Sequence, residues 1–120
     1  MITYKLGDVE MKFAEIIWTN EPLTSKELTI LAQEELNWNR STTYTILRKL
    51  SEKGILKNDN AIVTSLVSKE EYTAMQTEKF VEEQFHGSLP KFFAAFARRK
   101  KLSDKEVMEI EEIINRNQEG

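Results

Sequence analysis

The chain has no cysteine, a single histidine, two prolines and four glycines. Without cysteine there is no disulfide, no thiolate metal site and no cysteine nucleophile. With His86 as the only histidine, the sequence argues against a histidine metal cluster and against a Ser-His-Asp triad. Its longest fully apolar run, Phe92 to Ala97, is far short of a membrane span. Met1-Ile2-Thr3-Tyr4-Lys5 does not read as a signal peptide, so the chain is expected in the cytoplasm with no direct membrane binding. Aspartates and glutamates are plentiful, but they fall on helix caps and helix faces, where solvation accounts for them. No nucleophile and base stand together, so the chain reads as a non-enzyme that needs no cofactor and no metal.

What is present is a helix-rich composition. Forty per cent of the 120 residues are hydrophobic and 31% are charged, enough for one domain or two small units. The net charge of −3 does not advertise nucleic-acid binding. Its distribution does: Arg40, Arg48, Lys49, Lys53 and Lys57 face only Glu52 between positions 40 and 57, a local balance of +4. Docking depends on the charge of the docking face rather than on the total.

That basic stretch is also the best-formed helix signal. Thr43 (through its methyl), Ile46, Leu47 and Leu50 stand at i, i+3, i+4 and i+7, one buried face. Asn39 is placed to cap the helix and Gly54 to end it. The other face of the first half exposes Arg40, Ser41, Thr42, Tyr44 and Thr45. Hydroxyls near a helix N-terminus, with cations further along, suit a DNA major groove, where the helix start meets base edges and Arg or Lys reaches phosphate.

The surroundings complete a motif. Val9, Phe13, Ile16 and Ile17 predict a first helix over Asp8 to Trp18, with Gly7 or Asp8 near its start and Trp18 in the core. After a turn at Asn20–Leu23, Thr24-Ser25-Lys26-Glu27 matches a capping box and opens a second helix to about Leu36, with Leu28, Leu31, Ala32 and Leu36 inward. Trp38 is expected as a partly buried bracket before the third helix. Ile55–Asn58 and Ala61–Val67, joined by Asn58-Asp59-Asn60, predict a two-strand hairpin. Three helices followed by a hairpin make a winged helix-turn-helix.

Beyond it, Ser68-Lys69-Glu70-Glu71 opens a long helix to about His86, closed by Gly87. Ser88 caps a short helix in which Leu89, Phe92, Phe93 and Phe96 form an apolar stripe, with Pro90 in the first turn. Ser103-Asp104-Lys105-Glu106 opens a last helix holding Val107, Met108, Ile110, Ile113 and Ile114, fraying from Asn117. The fold class is therefore mostly α with a small β-hairpin. Residues 1–68 are expected as a winged-helix DNA-binding domain and 69–120 as a three-helix dimerisation domain. These last helices leave too much apolar surface for a monomer, and a two-fold dimer covers it. Tyr72, Phe80, Phe85, Leu89, Phe92, Phe93, Phe96, Ile110, Ile113 and Ile114 are its expected contacts.

With this layout the sequence resembles the BlaI/MecI penicillinase-repressor family of winged-helix regulators. The likeness rests on Leu6 to Trp18 with its closing Ala-Glu-Ile-Ile-Trp and on Pro22 to Leu28. Thr42, Thr45, Leu50 and Lys53-Gly54 in the third helix add to it. So does the sparse pattern Phe80, Phe85, Gly87, Phe96-Ala97, Leu102, Glu106, Ile113-Ile114. The resemblance implies a homodimeric repressor on a near-palindromic operator of double-stranded DNA, often built on a TACA/TGTA pair, controlling β-lactam-resistance or related genes. On matching positions Ser41, Thr42, Tyr44 and Thr45 would approach bases and Arg48 and Lys49 the backbone. Tyr44 replaces the basic residue often found there. The wing departs from relatives too: Asn58-Asp59-Asn60 leaves Lys57 as its cation. The resemblance also implies a membrane sensor-protease system that cuts before a phenylalanine, here Ala95–Phe96. Antibiotic-responsive members have Asn before that Phe, and this chain has Ala95. The alternative function, a winged-helix protein–protein interaction module without sequence-specific DNA binding, is favoured by the net −3 and the weak wing. The exposed hydroxyls and the dimerising half oppose it.

Overall fold

The computed structural model describes residues 4–120; the first three residues of the stretch read as lacking a signal peptide lie outside them. Helices α1 (Asp8–Asn20), α2 (Ser25–Leu36) and α3 (Arg40–Glu52) are followed by strands β2 (Leu56–Asp59) and β3 (Ile62–Ser65), with a short β1 (Leu23–Thr24) ahead of α2. Then come α4 (Lys69–Phe85), α5 (Leu89–Arg99) and α6 (Asp104–Glu119). The fold is mostly helical with one small antiparallel sheet, a winged helix-turn-helix followed by three helices. The chain divides into two compact units, 1–78 and 79–120, and the division falls inside α4 rather than at its start.

In the first unit the apolar stripes meet in one core. Phe13, Ala14, Ile16 and Ile17 of α1, Leu28 and Ala32 of α2, and Leu47 and Leu50 of α3 are buried against Leu23, Ile55, Leu56, Val63 and Val67. Thr43 is also buried, and its hydroxyl donates to the Asn39 carbonyl at 3.1 Å, so the burial strands no polar atom. Trp38 packs at 5.2 Å on Phe13, as a bracket should. Trp18 is only partly buried, because its indole N–H reaches out to the Val67 carbonyl at 2.9 Å.

Three details differ from the sequence reading. Leu23–Thr24, expected as turn and cap, also pairs with β3, giving the strand order β1-β3-β2. The hairpin turn is Asn60-Ala61, not Asn58-Asp59-Asn60: Asp59 pairs with Ile62, and the two residues between them have φ of 53° and 64°. Positive φ at both central residues is the primed turn that follows the right-handed twist of a hairpin. Tyr72, expected at a dimer contact, is instead in the core of the first unit. Its hydroxyl accepts the Leu6 N–H at 2.7 Å and its ring lies 6.1 Å from Trp18, so it is spent internally.

The second unit is smaller and poorly closed. Phe80, Phe85 and Phe92 form an aromatic cluster with centroids 5.6–6.2 Å apart, and Val81 is buried. Ser88 caps α5 by accepting from Lys91, and Ser103 caps α6 by accepting from Glu106. Neither α5 nor α6 has a buried residue. The end of α6 does not fray at Asn117 but stays helical to Glu119.

Candidate nucleic-acid interface

The interface is built on α3, about 20 Å long at 1.5 Å per residue. Asn39 caps it by accepting the Thr42 N–H at 2.8 Å. Thr43, Leu47 and Leu50 bury one face, which fixes the rotation of the helix about its axis. Ser41, Thr42, Thr45 and Arg48 are all exposed on the rest of it. The Thr45 hydroxyl donates to the Ser41 carbonyl at 2.9 Å, and the side chain is exposed. A methyl can pack on thymine and the oxygen can accept from a base amino group.

Arg40 and Tyr44 form the flank facing α2. The Arg40 guanidinium lies 5.6 Å from the Tyr44 ring centroid, within cation–π range. The Tyr44 hydroxyl donates to the Ser25 hydroxyl in the first turn of α2 at 3.3 Å. The Ser25 hydroxyl, which can turn to donate to the phenolate, and then the Arg40 cation pull the phenol below its ordinary pKa against the opposing effect of burial. Lys26, Thr29 and Ile30 of α2 complete a shallow cleft with Arg40 and Tyr44, bringing a second cation to this flank. Tyr44 is therefore half-turned toward α2 rather than standing straight out from α3.

The remaining predicted cations are engaged. Lys49 sits 3.0 Å from Glu10 of α1. Lys57 of the wing pairs at 3.6 Å with Asp59 of the same strand, so the wing neutralises its own cation. The structure brings Arg40, Ser41, Thr42, Tyr44, Thr45 and Arg48 together on one helix. It sets Lys49 on the flank toward α1 and Lys57 on a separate strand. No group of metal-ligating side chains occurs among the described residues.

Sequence reading overlooked Ser25, Lys26, Tyr4 and Glu10. Ser25 and Lys26 were legible only as capping-box members, and their approach to α3 is a tertiary fact. Glu10 had a local signal: it stands three residues after Gly7, and its carboxylate accepts the Gly7 N–H at 2.9 Å.

In the second unit the expected contact residues other than Tyr72 lie on α4, α5 and α6. Phe80, Leu89, Phe93, Phe96, Ile113 and Ile114 are each at least 42% exposed; Phe85, Phe92 and Ile110 are half-buried. The Ala95–Phe96 bond lies inside α5, within its helical ladder.

Comparison with known proteins gives a consistent picture. The sequence model of a family described as penicillinase repressor matches residues 6–116. The methicillin resistance regulatory protein MecI of Staphylococcus aureus is 25% identical over 118 residues, covering 95% of this chain and 96% of that protein. A penicillinase repressor of Staphylococcus aureus is 28% identical over 116 residues, covering 89% and 92%. Among solved structures, the monomeric form of Bacillus licheniformis BlaI in complex with the blaP half-operator matches with a TM-score of 0.52 at 21% identity. It covers 60% of this chain and 92% of that one, a likeness of fold.

Proposed function

This chain belongs to the penicillinase repressor family, a family of DNA-binding repressors rather than enzymes, and we propose that it acts as a homodimer on a near-palindromic operator. In this reading α3 enters the major groove. Ser41, Thr42 and Thr45 meet base edges, with Tyr44 at the α2 side of the groove, and Arg40 and Arg48 reach phosphate. The observation that carries it is the exposed row Ser41, Thr42, Thr45 and Arg48 on a helix whose opposite face is locked into the core. A row of hydroxyls ending in a cation is the chemistry of groove readout with backbone anchoring. The wing adds little, since Lys57 is answered by Asp59.

The dimer is formed by the second unit, where Leu89, Phe93 and Phe96 of α5 and Ile113 and Ile114 of α6 are exposed. Apolar side chains in this number are covered by a partner in a stable protein, and a second copy satisfies the symmetry of a palindrome. Phe96 then serves packing. Repressor and operator meet in the cytoplasm, and the controlled genes are those of β-lactam resistance or a related response. A membrane sensor-protease would have to open α5 before it could cut Ala95–Phe96.

Selection of bound duplexes from a random pool by the purified protein at moderate salt tests this reading. A two-fold symmetric motif is the expected result. A folded, dimeric protein that enriches nothing would replace it with the protein-interaction module.

A further inference from the structure

Lys49 lies in the basic stretch, yet its surroundings do not resemble those of a phosphate contact. Its ammonium is 3.0 Å from an oxygen of Glu10, whose side chain is only 15% exposed. The same carboxylate accepts the Tyr4 hydroxyl at 2.9 and 2.8 Å to its two oxygens, and the Gly7 N–H at 2.9 Å. The Lys49 and Lys53 ammoniums lie 5.8 and 5.2 Å from the Tyr4 ring centroid. A carboxylate, a phenol and two cations thus join the start of α1 to the second half of α3.

Helix geometry separates Lys49 from its neighbour. Arg48 shares a face with Thr45 and Ser41, at spacings of three and seven. Lys49 leaves α3 about 100° further round, toward α1. To reach DNA it would have to abandon Glu10, whose side chain is mostly covered while Lys49 is itself half exposed, and so give up the ion pair that joins α3 to α1, a cost on the scale of one ion pair. On the reading of α3 as the DNA-reading helix, we infer that Lys49 is a positioning residue: with Glu10 and Tyr4 it sets the pose of α3 against α1, and it does not contact the DNA backbone.

The two roles predict different salt behaviour. A lysine that neutralises a phosphate releases counterions, and its removal lowers the slope of log affinity against log salt by about 0.9. A positioning lysine leaves the slope alone and alters discrimination. The test uses the full chain and two duplexes, the one recovered by random-pool selection and a scrambled duplex of the same composition. Successful selection establishes the DNA-reading role beforehand, so the outcome here bears on Lys49 alone. Lys49→Met and Glu10→Gln should each lower the ratio of the two affinities about fivefold, the scale of an ion pair, with the salt slope unchanged. Lys49→Arg, which can still pair with Glu10, should keep the wild-type ratio. Thermal unfolding verifies that each variant is folded at the assay temperature, and Lys49→Gln replaces Lys49→Met if the latter is not. The inference is overturned if removing Lys49 flattens the slope and weakens both duplexes alike. It is overturned equally if Glu10→Gln frees the lysine and tightens both, or if neither change alters the ratio.

Discussion

Thr45 and Arg48 stand one turn apart on one face of α3, and if α3 reads DNA as proposed, their chemistry divides recognition between them. Thr45→Ala removes a methyl and a hydroxyl that face outward, so it should cost about 1–2 kcal/mol of specific affinity. Stability should hardly change, since the residue is exposed; titration of selected against scrambled duplex, with a melting curve, checks both. Arg48→Ala should weaken both duplexes and lower the salt slope by about 0.9, which binding isotherms at several salt concentrations measure. Glu10 offers a pH signature. Partial burial pushes its carboxyl up, but the Gly7 N–H, the Lys49 ammonium and the Tyr4 hydroxyl outweigh that and hold it below the ordinary glutamate value. A depressed folded pKa favours the ionised form in the folded state. Its stabilisation is fully present well above the ordinary glutamate pKa and is lost as pH falls through the lower, folded value. Below that point wild type should lose its margin over Glu10→Gln, seen as convergence of their melting temperatures on acidification. The exposed face of α3 was legible in the sequence because helical period alone separates Thr45 from Leu47. The engagement of Lys49 was not, because its partner is 39 positions away in sequence and on another helix.

At the scale of elements, the helices were legible to within a turn, since caps and apolar stripes are local signals. Asn39, Thr24, Ser88 and Ser103 each cap the helix they were expected to cap. The sheet was less so. β1 is two residues long and pairs only with β3, so nothing in Leu23–Thr24 announces it. The wing turn was displaced by two residues because Asn58-Asp59-Asn60 is rich in turn formers, whereas the turn is set by pairing register and runs through Ala61. Alanine at φ of 64° is strained, since its Cβ crowds the backbone in the left-handed region. Ala61→Gly should therefore raise stability by about 0.5–1 kcal/mol, measurable by urea unfolding. The Ala61 carbonyl, which accepts the Ser25 N–H at 2.9 Å, is kept in that variant.

For the molecule as a whole, the first unit has a closed core and the second has an open one. Phe93 is 42% exposed on a helix with no buried residue. If the second copy covers it fully, Phe93→Ala should weaken association by about 3–5 kcal/mol, and sedimentation equilibrium would show dissociation at concentrations where wild type is paired. An unchanged constant would move the interface off α5. The sequence exposed this incompleteness through its excess of aromatic residues, but a chain alone does not show which faces remain open. The exposed apolar side chains of α5 and α6 have a consequence for dosage. Where the binding species forms from two chains, its abundance at low expression follows the square of the chain concentration. A promoter under its control would therefore answer to cell growth and dilution with a threshold. Halving the chain concentration would then quarter the binding species, where a single-chain binder would only halve.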